Sequence, residues 1–314
     1  MRRKIKNLID NSNSILLLTH EKPDGDAVGS VLALYNYLSS INKSVDMVIL
    51  DVPKVFNFLP TINRVVDSTS KDYDLGIVLD CATVKRIGQK DDLFSRCKTT
   101  ISIDHHISNE NYCDVNLIEG DVSSCCQVIY YLLKDWNALI NKEIGEPLIA
   151  GLLTDTNGFS INSVDSNTYK MAAELNDLNI NIYNIYNKVL CVKSMSQYDL
   201  MKIAMERLEF LFDGKVAYTY ILKDDFERVG AEDGDHEGIV NIGRNIEGVE
   251  VSLFIRENDG WSISLRSTGS VDVNKIAAAV GGGGHFMAAS GKTTCSLEET
   301  KAVLINEIEK ALNL

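Results

Sequence analysis

No apolar stretch of this 314-residue chain approaches the roughly 20 residues that cross a bilayer. The N-terminus, MRRKIKNLIDNSNS, starts basic but has no apolar segment and no small-residue cleavage site after it, so no signal peptide is expected. There is no C-x-x-C, and the cysteines number seven (81, 97, 113, 125, 126, 191 and 295), an odd count that suits free thiols in a reducing cytoplasm better than disulfides or a structural zinc. Basic blocks and Arg/Lys stripes are missing as well, and the net charge is −13. A protein that grips long nucleic acid by its phosphates normally shows a basic face. An anionic substrate here must therefore be small, or be held by a few concentrated positive charges such as bound divalent metals. No internal repeat and no low-complexity stretch is visible.

What is present is a 45% hydrophobic chain whose length suits about two domains. SILLLT (14–19), SVDMVIL (44–50), LGIVLD (75–80), TTISID (99–104) and YCDVNLI (112–118) read as strands. They are continuous apolar runs, the pattern of strands buried on both faces, and helical segments separate them. The expected fold class is α/β: a parallel-sheet N-terminal domain (1–190), a helical linker (191–213) and a smaller α+β domain (214–314). Helices are expected over 26–40, 122–136, 142–155 and 165–176 in the first part. Residues 194–212 read as one long helical pattern ending in the turn Asp213-Gly214. Beyond it, KVAYTYILK, VEVSLFIRE and GWSISLRST alternate as strands joined by tight turns, and 272–280 and 296–312 read as helices.

Ligand-type side chains recur where strands end. The first strand runs into His20, Asp24 and Asp26, spaced H-x-x-x-D-x-D; the third ends at Asp80; the fourth ends at Asp104, His105 and His106. Asp155 closes an apolar helix in IAGLLTDTNGFS. In an open parallel sheet, sites form outside the carboxyl ends of the strands, so residues distant in sequence would meet at one edge. Each has a plain alternative: a helix N-cap explains Asp26, a turn explains Pro-Asp-Gly, and Asp80 alone can start a loop. The recurrence at three strand ends is what favours chemistry. Carboxylates gathered this closely without a cation repel one another, and several must take up protons. One ion cannot use them all. Two ions about 3.5–4 Å apart, sharing a carboxylate and a water, can, and such a water would be acidified to attack phosphorus in line. Oxygen and imidazole ligands without thiolate favour Mn²⁺, with Mg²⁺, Fe²⁺ and Co²⁺ as alternatives. Asp104 suits another role, orienting a histidine by hydrogen bond.

The second domain carries LRSTGSVDVNKIAAAVGGGGHFMAASG (265–291). A glycine run before His285 lets a ligand approach backbone N–H groups, although a flexible helix stop is the other explanation. Nearby Arg266 and Ser267 tilt the balance toward phosphate or nucleotide binding. His236 is expected at the surface.

In order, H-E-K-P-D-G-D, V-L-D, I-D-H-H and L-L-T-D-T resemble the motifs of the DHH phosphoesterase family, and R-S…GGGGH resembles its DHH-associated C-terminal domain. The two-domain size is most similar to the group of nano-RNases and pAp phosphatases. The resemblance implies one Mn²⁺ on His20, Asp24 and Asp80 and a second on Asp26, Asp80, His105 and Asp155, with Asp80 shared. It implies catalytic roles for His106, Asp80 and Asp104, with His106 contacting the scissile phosphate. Arg266, Ser267, Gly282, Gly283, Gly284 and His285 would hold the substrate's nucleotide and far phosphate. Substrates would be short RNA of two to five nucleotides, linear dinucleotides such as pApA, and pAp, handled by a cytoplasmic homodimer with no membrane or long-duplex partner. The fourth motif departs from the family's D-T-G, reading Asp155-Thr156-Asn157-Gly158. Alternatives are a pyrophosphatase or exopolyphosphatase of the same family, a RecJ-like single-strand exonuclease, which should be longer with a basic groove, and an idle nucleotide-binding regulator.

Overall fold

The apolar run Ile15–Leu18 is buried at every position, and its residues feed two different clusters. Ile15 and Leu17 join one hydrophobic core, Leu16 and Leu18 another on the opposite face of the sheet. That is why the strand reads as continuous rather than alternating. The computed structural model describes the backbone of residues 1–313 and the side chains of all of them except 89–91. The chain divides into two compact units, Met1–Val192 and Lys193–Leu314.

In the first unit the strands are β1 (Ser14–Leu18), β2 (Ser44–Val48), β3 (Val65–Val66), β4 (Tyr73–Leu79), β5 (Cys97–Asp104) and β6 (Val115–Ile118). They form one sheet in the order β3-β2-β1-β4-β5-β6, with every neighbouring pair parallel. The chain winds outward from β1 to β3, then restarts at β4 on the other side. The β1/β4 boundary is therefore the switch point, where a doubly wound sheet opens a crevice at the strands' carboxyl ends. The helices are α1 (Arg2–Asn11), α2 (Gly25–Ser40), α3 (Asp91–Ser95), α4 (Cys125–Asp135), α5 (Lys142–Asp155), α6 (Ser166–Asn176) and α7 (Ile182–Tyr186).

Helix α2 is buried nearly all round and crosses α5 with no room to spare. A Cβ on Gly25 would lie 2.3 Å from Thr154 Oγ1, and one on Gly151 would lie 2.3 Å from Cys126 Sγ and 3.0 Å from the Asp26 Cα. Glycine at these positions lets the start of α2, with Asp24 and Asp26, approach the end of α5, with Asp155. The N-cap of α2 is Asp24, whose carboxylate accepts from the Asp26 and Ala27 N–H groups at 3.0 Å each. The capping role belongs to Asp24, not to Asp26.

The second unit is an α+β sandwich of strands β7 (Glu209–Leu211), β8 (Val216–Ile221), β9 (Val251–Asn258), β10 (Gly260–Ser267), β11 (Gly283–His285) and β12 (Ala288–Thr293). Their order is β11-β12-β10-β9-β8-β7, antiparallel throughout except for β8 beside β9. Helices α11 (Val273–Ala278) and α12 (Leu297–Ala311) cover one face over Val251, Leu253, Ile263 and Leu265. Helices α8 (Met195–Glu206), α9 (Lys223–Val229) and α10 (Ile239–Arg244) cover the other, around Phe254. The helical pattern expected over 194–212 stops at Glu206. Residues Glu209–Leu211 pair with β8 instead, because Phe212 and Asp213 both take positive φ (53° and 54°) and fold the chain into a tight hairpin. His236 is half-buried between the rings of Phe226 and Phe254, whose centroids lie 6.3 and 6.4 Å away, rather than free at the surface.

Candidate metal centre

At the switch point, β1 delivers His20, the start of α2 delivers Asp24 and Asp26, β4 delivers Asp80, and β5 delivers Asp104, His105 and His106. The end of α5 brings Asp155. The ligand atoms form three groups, each with all its atoms within 4.8 Å of one another: His20/Asp24/Asp80, Asp26/His105/Asp155 and Asp80/Asp104/His105/His106.

Asp80 is the hinge of this arrangement. It is 2% exposed and sits in the left-handed backbone region at φ 54°. Its Oδ2 lies 3.8 Å from His20 Nε2, while its Oδ1 lies 3.6 Å from His105 Nε2 and 3.4 Å from His106 Nδ1. The two oxygens thus face different groups, the disposition a shared carboxylate needs. Oδ1 is buried without a hydrogen-bond donor. An orphaned buried carboxylate oxygen is costly unless a cation satisfies it.

The histidines are set for the same purpose. His20 Nδ1 lies 2.7 Å from the Glu21 carbonyl oxygen, which places the ring proton on Nδ1 and leaves Nε2 toward Asp24 (4.0 Å) and Asp80. His105 Nδ1 faces the Val122 carbonyl at 3.5 Å, and its Nε2 stands 3.9, 3.6 and 3.5 Å from Asp26, Asp80 and Asp155. These separations are too long for hydrogen bonds. They suit ligands of a common ion bound at about 2.0–2.2 Å each. His106 is turned the other way: its Nδ1 is 2.7 Å from Asp104 Oδ1.

Electrostatics single out the same residues. Burial, then Asp26, Asp24, Asp155 and Asp104 in turn, push the Asp80 carboxyl well above the carboxylate range. Burial also raises Asp26, and burial followed by Asp26 and Asp24 pushes Asp155 up to about 9. Asp104 differs. Burial opposes its charge, but hydrogen bonds from His106 and Asn109 hold it below the usual value. The Asp104 bond in turn raises His106. The donor set is hard oxygen and imidazole. Cys125 and Cys126 lie against Asp26, yet burial pushes both thiols well above their ordinary range, so neither offers a thiolate. The residues fit divalent ions.

Several positioning groups were not singled out from the sequence. Asn109 is buried and donates from Nδ2 to Asp104 Oδ2 at 2.7 Å. The first N–H groups of α4, from Cys125 and Cys126, donate to the two oxygens of Asp26 at 2.6 and 2.9 Å, a helix N-terminus aimed at a carboxylate. Ser123-Ser124 before an apolar run announces that helix start, but only the tertiary fold shows what it faces. After α5, Thr156 is buried with Oγ1 on the Leu152 carbonyl at 2.6 Å, and Asn157 and Gly158 take left-handed φ (46° and 67°). Asparagine tolerates that conformation, so the inserted Asn157 ends the helix without displacing Asp155.

In the second unit, Arg266 on β10 and His285 on β11 both pair with Ala288 of β12 or its register row. Ser267 is fully buried, its Oγ accepting from the Gly269 and Val271 N–H groups at 3.0 and 3.3 Å, so the hydroxyl is taken up by that turn. The glycines divide. A Cβ on Gly282 would lie 2.2 Å from the Ser290 carbonyl oxygen and one on Gly284 would lie 2.5 Å from that of Ala288, so both are pressed on β12. Gly283 would meet only Asn274 Oδ1, at 3.6 Å. That same oxygen accepts from the Gly284 N–H at 2.8 Å.

Residues 14–154 match the DHH family, N-terminal domain, and residues 213–314 match the DHHA1 domain. The chain is 31% identical over 297 residues to the bifunctional oligoribonuclease and PAP phosphatase NrnA of Thermus thermophilus, covering 92% of this chain and 86% of that one. It is 26% identical over 308 residues to the protein of the same name from Bacillus subtilis, covering 97% and 96%. A crystal structure of an exopolyphosphatase-related protein from Bacteroides fragilis superposes with a TM-score of 0.92 at 30% identity, covering 98% of this chain and 95% of that one. The chain therefore belongs to the DHH family, with a DHHA1 domain, and is a hydrolase of this family of metal-dependent phosphoesterases.

Proposed function

We propose that this protein is a Mn²⁺-dependent phosphoesterase that cleaves RNA of two to about five nucleotides, including linear dinucleotides such as pApA, and converts pAp to AMP. The observation that carries the reading is Asp80: a buried carboxylate with no donor on Oδ1, whose two oxygens face separate groups of ligand atoms. The substrate class rests on likeness along nearly the full chain to relatives named as oligoribonucleases and PAP phosphatases. The seven unpaired thiols fit a cytoplasmic setting.

His20, Asp24 and Asp80 would hold one ion, and Asp26, Asp80, His105 and Asp155 the other. Bound divalent ions supply Lewis acidity toward a phosphoryl oxygen and acidify water at neutral pH. The chain's part is to prepare this site. The Glu21 carbonyl fixes the tautomer of His20, so its Nε2 presents a lone pair rather than a proton. The α4 N-terminus orders Asp26. Asp104, itself fixed by Asn109 and by the His105 and His106 N–H groups at 2.7 and 3.1 Å, holds His106 by Nδ1. Nε2 of His106 is then the nitrogen left to meet the scissile phosphate. Arg266, His285 and the open positions of the glycine segment take the nucleotide end.

A chain of net charge −13 with no basic block in its sequence gains little from extra phosphates. Cleavage should be most efficient for two to about five nucleotides, with a weak salt dependence. The test is steady-state kinetics with Mn²⁺ on pAp, pApA, pGpG, RNAs of 2 to 20 nucleotides, pyrophosphate and polyphosphate, at two salt concentrations. A rate that keeps rising to the 20-mer with a steep salt slope would show a long-strand exonuclease. Preference for polyphosphate would favour the activity in the name of the Bacteroides fragilis relative.

A further inference from the structure

The second unit has five arginines, and three are matched to carboxylates. Arg207 pairs with Asp225, Arg228 with Asp225 at 2.9 Å, and Arg256 with Asp233 at 2.7 Å. Arg244 and Arg266 have no carboxylate partner among the described residues. Arg266 Nη1 donates only to the Leu265 carbonyl at 2.9 Å, and Arg244 reaches only its neighbour Asn245, at 3.3 and 3.4 Å.

The sheet register and the packing of helix α10 bring these two to one region of the unit. Arg266 pairs with Ser252 of β9 on one side and Ala288 of β12 on the other, and Ala288 pairs with His285 of β11. Directly paired residues project to the same face of a sheet. Ser252, Arg266, Ala288 and His285 therefore form one row on one face. Helix α10 packs onto that face at Ser252, whose Oγ donates to the Val240 carbonyl at 2.7 Å. Gly243 sits so close that a Cβ there would lie 2.5 Å from Ser252 Oγ. Arg244 follows Gly243 and is thereby anchored beside the Arg266 end of the row. Its charge, after burial, helps lower the Arg266 pKa. At the other end, Ala288 puts only a methyl group between Arg266 and His285, whose backbones stand about 10 Å apart across two strand spacings.

We propose that Arg244 is a specificity-determining residue: with Arg266 it forms a two-guanidinium clamp that selects nucleotides carrying a terminal phosphate monoester over those ending in a hydroxyl. Two uncompensated guanidinium charges match a monoester, which carries about −1.5 to −2 at neutral pH, better than a singly charged diester. Among the described residues the unit's other three arginines all have carboxylate partners. The inference rests on the functional reading above only in taking the ligand to be a nucleotide.

The test is calorimetric titration of the metal-free full chain with 5′-AMP and with adenosine. No turnover is involved, so failure to cleave any oligonucleotide would defeat the functional reading and leave this measurement intact. The wild-type protein should bind AMP at least about tenfold more tightly than adenosine, the size of one charge-assisted contact. Arg244→Ala should bring the two ligands to within about threefold while leaving adenosine affinity unchanged, and Arg244→Lys should restore part of the preference. Arg244→Gln, which keeps the length of the side chain, serves if the alanine variant melts early. An AMP preference undiminished in both neutral variants, or no preference in the wild type, overturns the proposal.

Discussion

Replacing Asp80 with asparagine removes a charge and little else. The side chains are isosteric, and asparagine tolerates the left-handed backbone at this position. In the metal-free protein burial and four neighbouring carboxylates push this carboxyl well above the carboxylate range, so its charge costs the folded state more than the unfolded chain. The ordinary value is about 3.9, and each pH unit of mismatch costs about 1.4 kcal/mol, so at pH 7 the ceiling is roughly 4 kcal/mol. Coulomb repulsion gives a similar size. Asp80 and Asp104 place oxygens within 4.8 Å, and two unit charges at that distance repel by about 3.5 kcal/mol at an effective dielectric of 20. The carboxylates share the burden, so Asp80→Asn should stabilise the metal-free fold by about 2–3 kcal/mol at pH 7. For a unit of this length that is roughly 5–10 °C in Tm. The gain should shrink toward pH 5. In saturating Mn²⁺ the order should reverse, because the wild type gains about 2.7 kcal/mol for each site at a hundredfold excess over Kd. Thermal melts in chelator and in Mn²⁺, at pH 5 and pH 7, measure all of this. A metal-free variant that melts below the wild type at pH 7 would show Asp80 to be a structural carboxylate and refute the reasoning.

Metal-free protein should lose stability as pH rises from about 4 to about 9, because Asp26, Asp80 and Asp155 have raised pKa values, the folded state binds more protons than the unfolded chain, and that advantage vanishes as they ionise; chemical denaturation at pH 6 and pH 8 checks the sign. Asn109→Ala should cost about 1–3 kcal/mol by leaving Asp104 Oδ2 without its 2.7 Å donor, and should lower kcat more than it changes KM while metal content stays intact. Gly25→Ala should cost about 1–3 kcal/mol and weaken metal binding, since its Cβ would stand 2.3–2.9 Å from Thr154 and push the start of α2 away from the end of α5; Thr154→Ala in the same chain should recover most of both.

The first unit was legible because burial on both faces leaves a plain mark. Leu16 and Leu18 must be as apolar as Ile15 and Leu17, and no helix of this length reads that way. Helix α5 was legible over 142–155, since Asp155 breaks an apolar face; the structure adds that Asn141 caps it. His20, Asp24, Asp26, Asp80, His105 and Asp155 stood out because each interrupts or ends an apolar element, and parallel strands bring such ends together. What was hidden depends on contacts between distant segments. Asn109 looks like any loop asparagine until Asp104 lies against it. Glu209–Leu211 continues a helical pattern, and only the backbone turn at Phe212-Asp213 and the partner β8 make it a strand. Gly282 and Gly284 read as a cradle, and that they also press on β12 shows only in the fold. Arg244 is ordinary in sequence and notable only because α10 packs on the row that carries a second arginine without a carboxylate partner among the described residues.

The most direct measurement of the central claim is product analysis of pApA and pAp incubated with metal-stripped protein, before and after Mn²⁺ is restored. The account expects no turnover in chelator, and, on adding Mn²⁺, AMP from both substrates together with about two bound ions per chain by elemental analysis. Equal turnover in chelator, or an Mn²⁺-loaded protein that leaves both substrates intact, would contradict it.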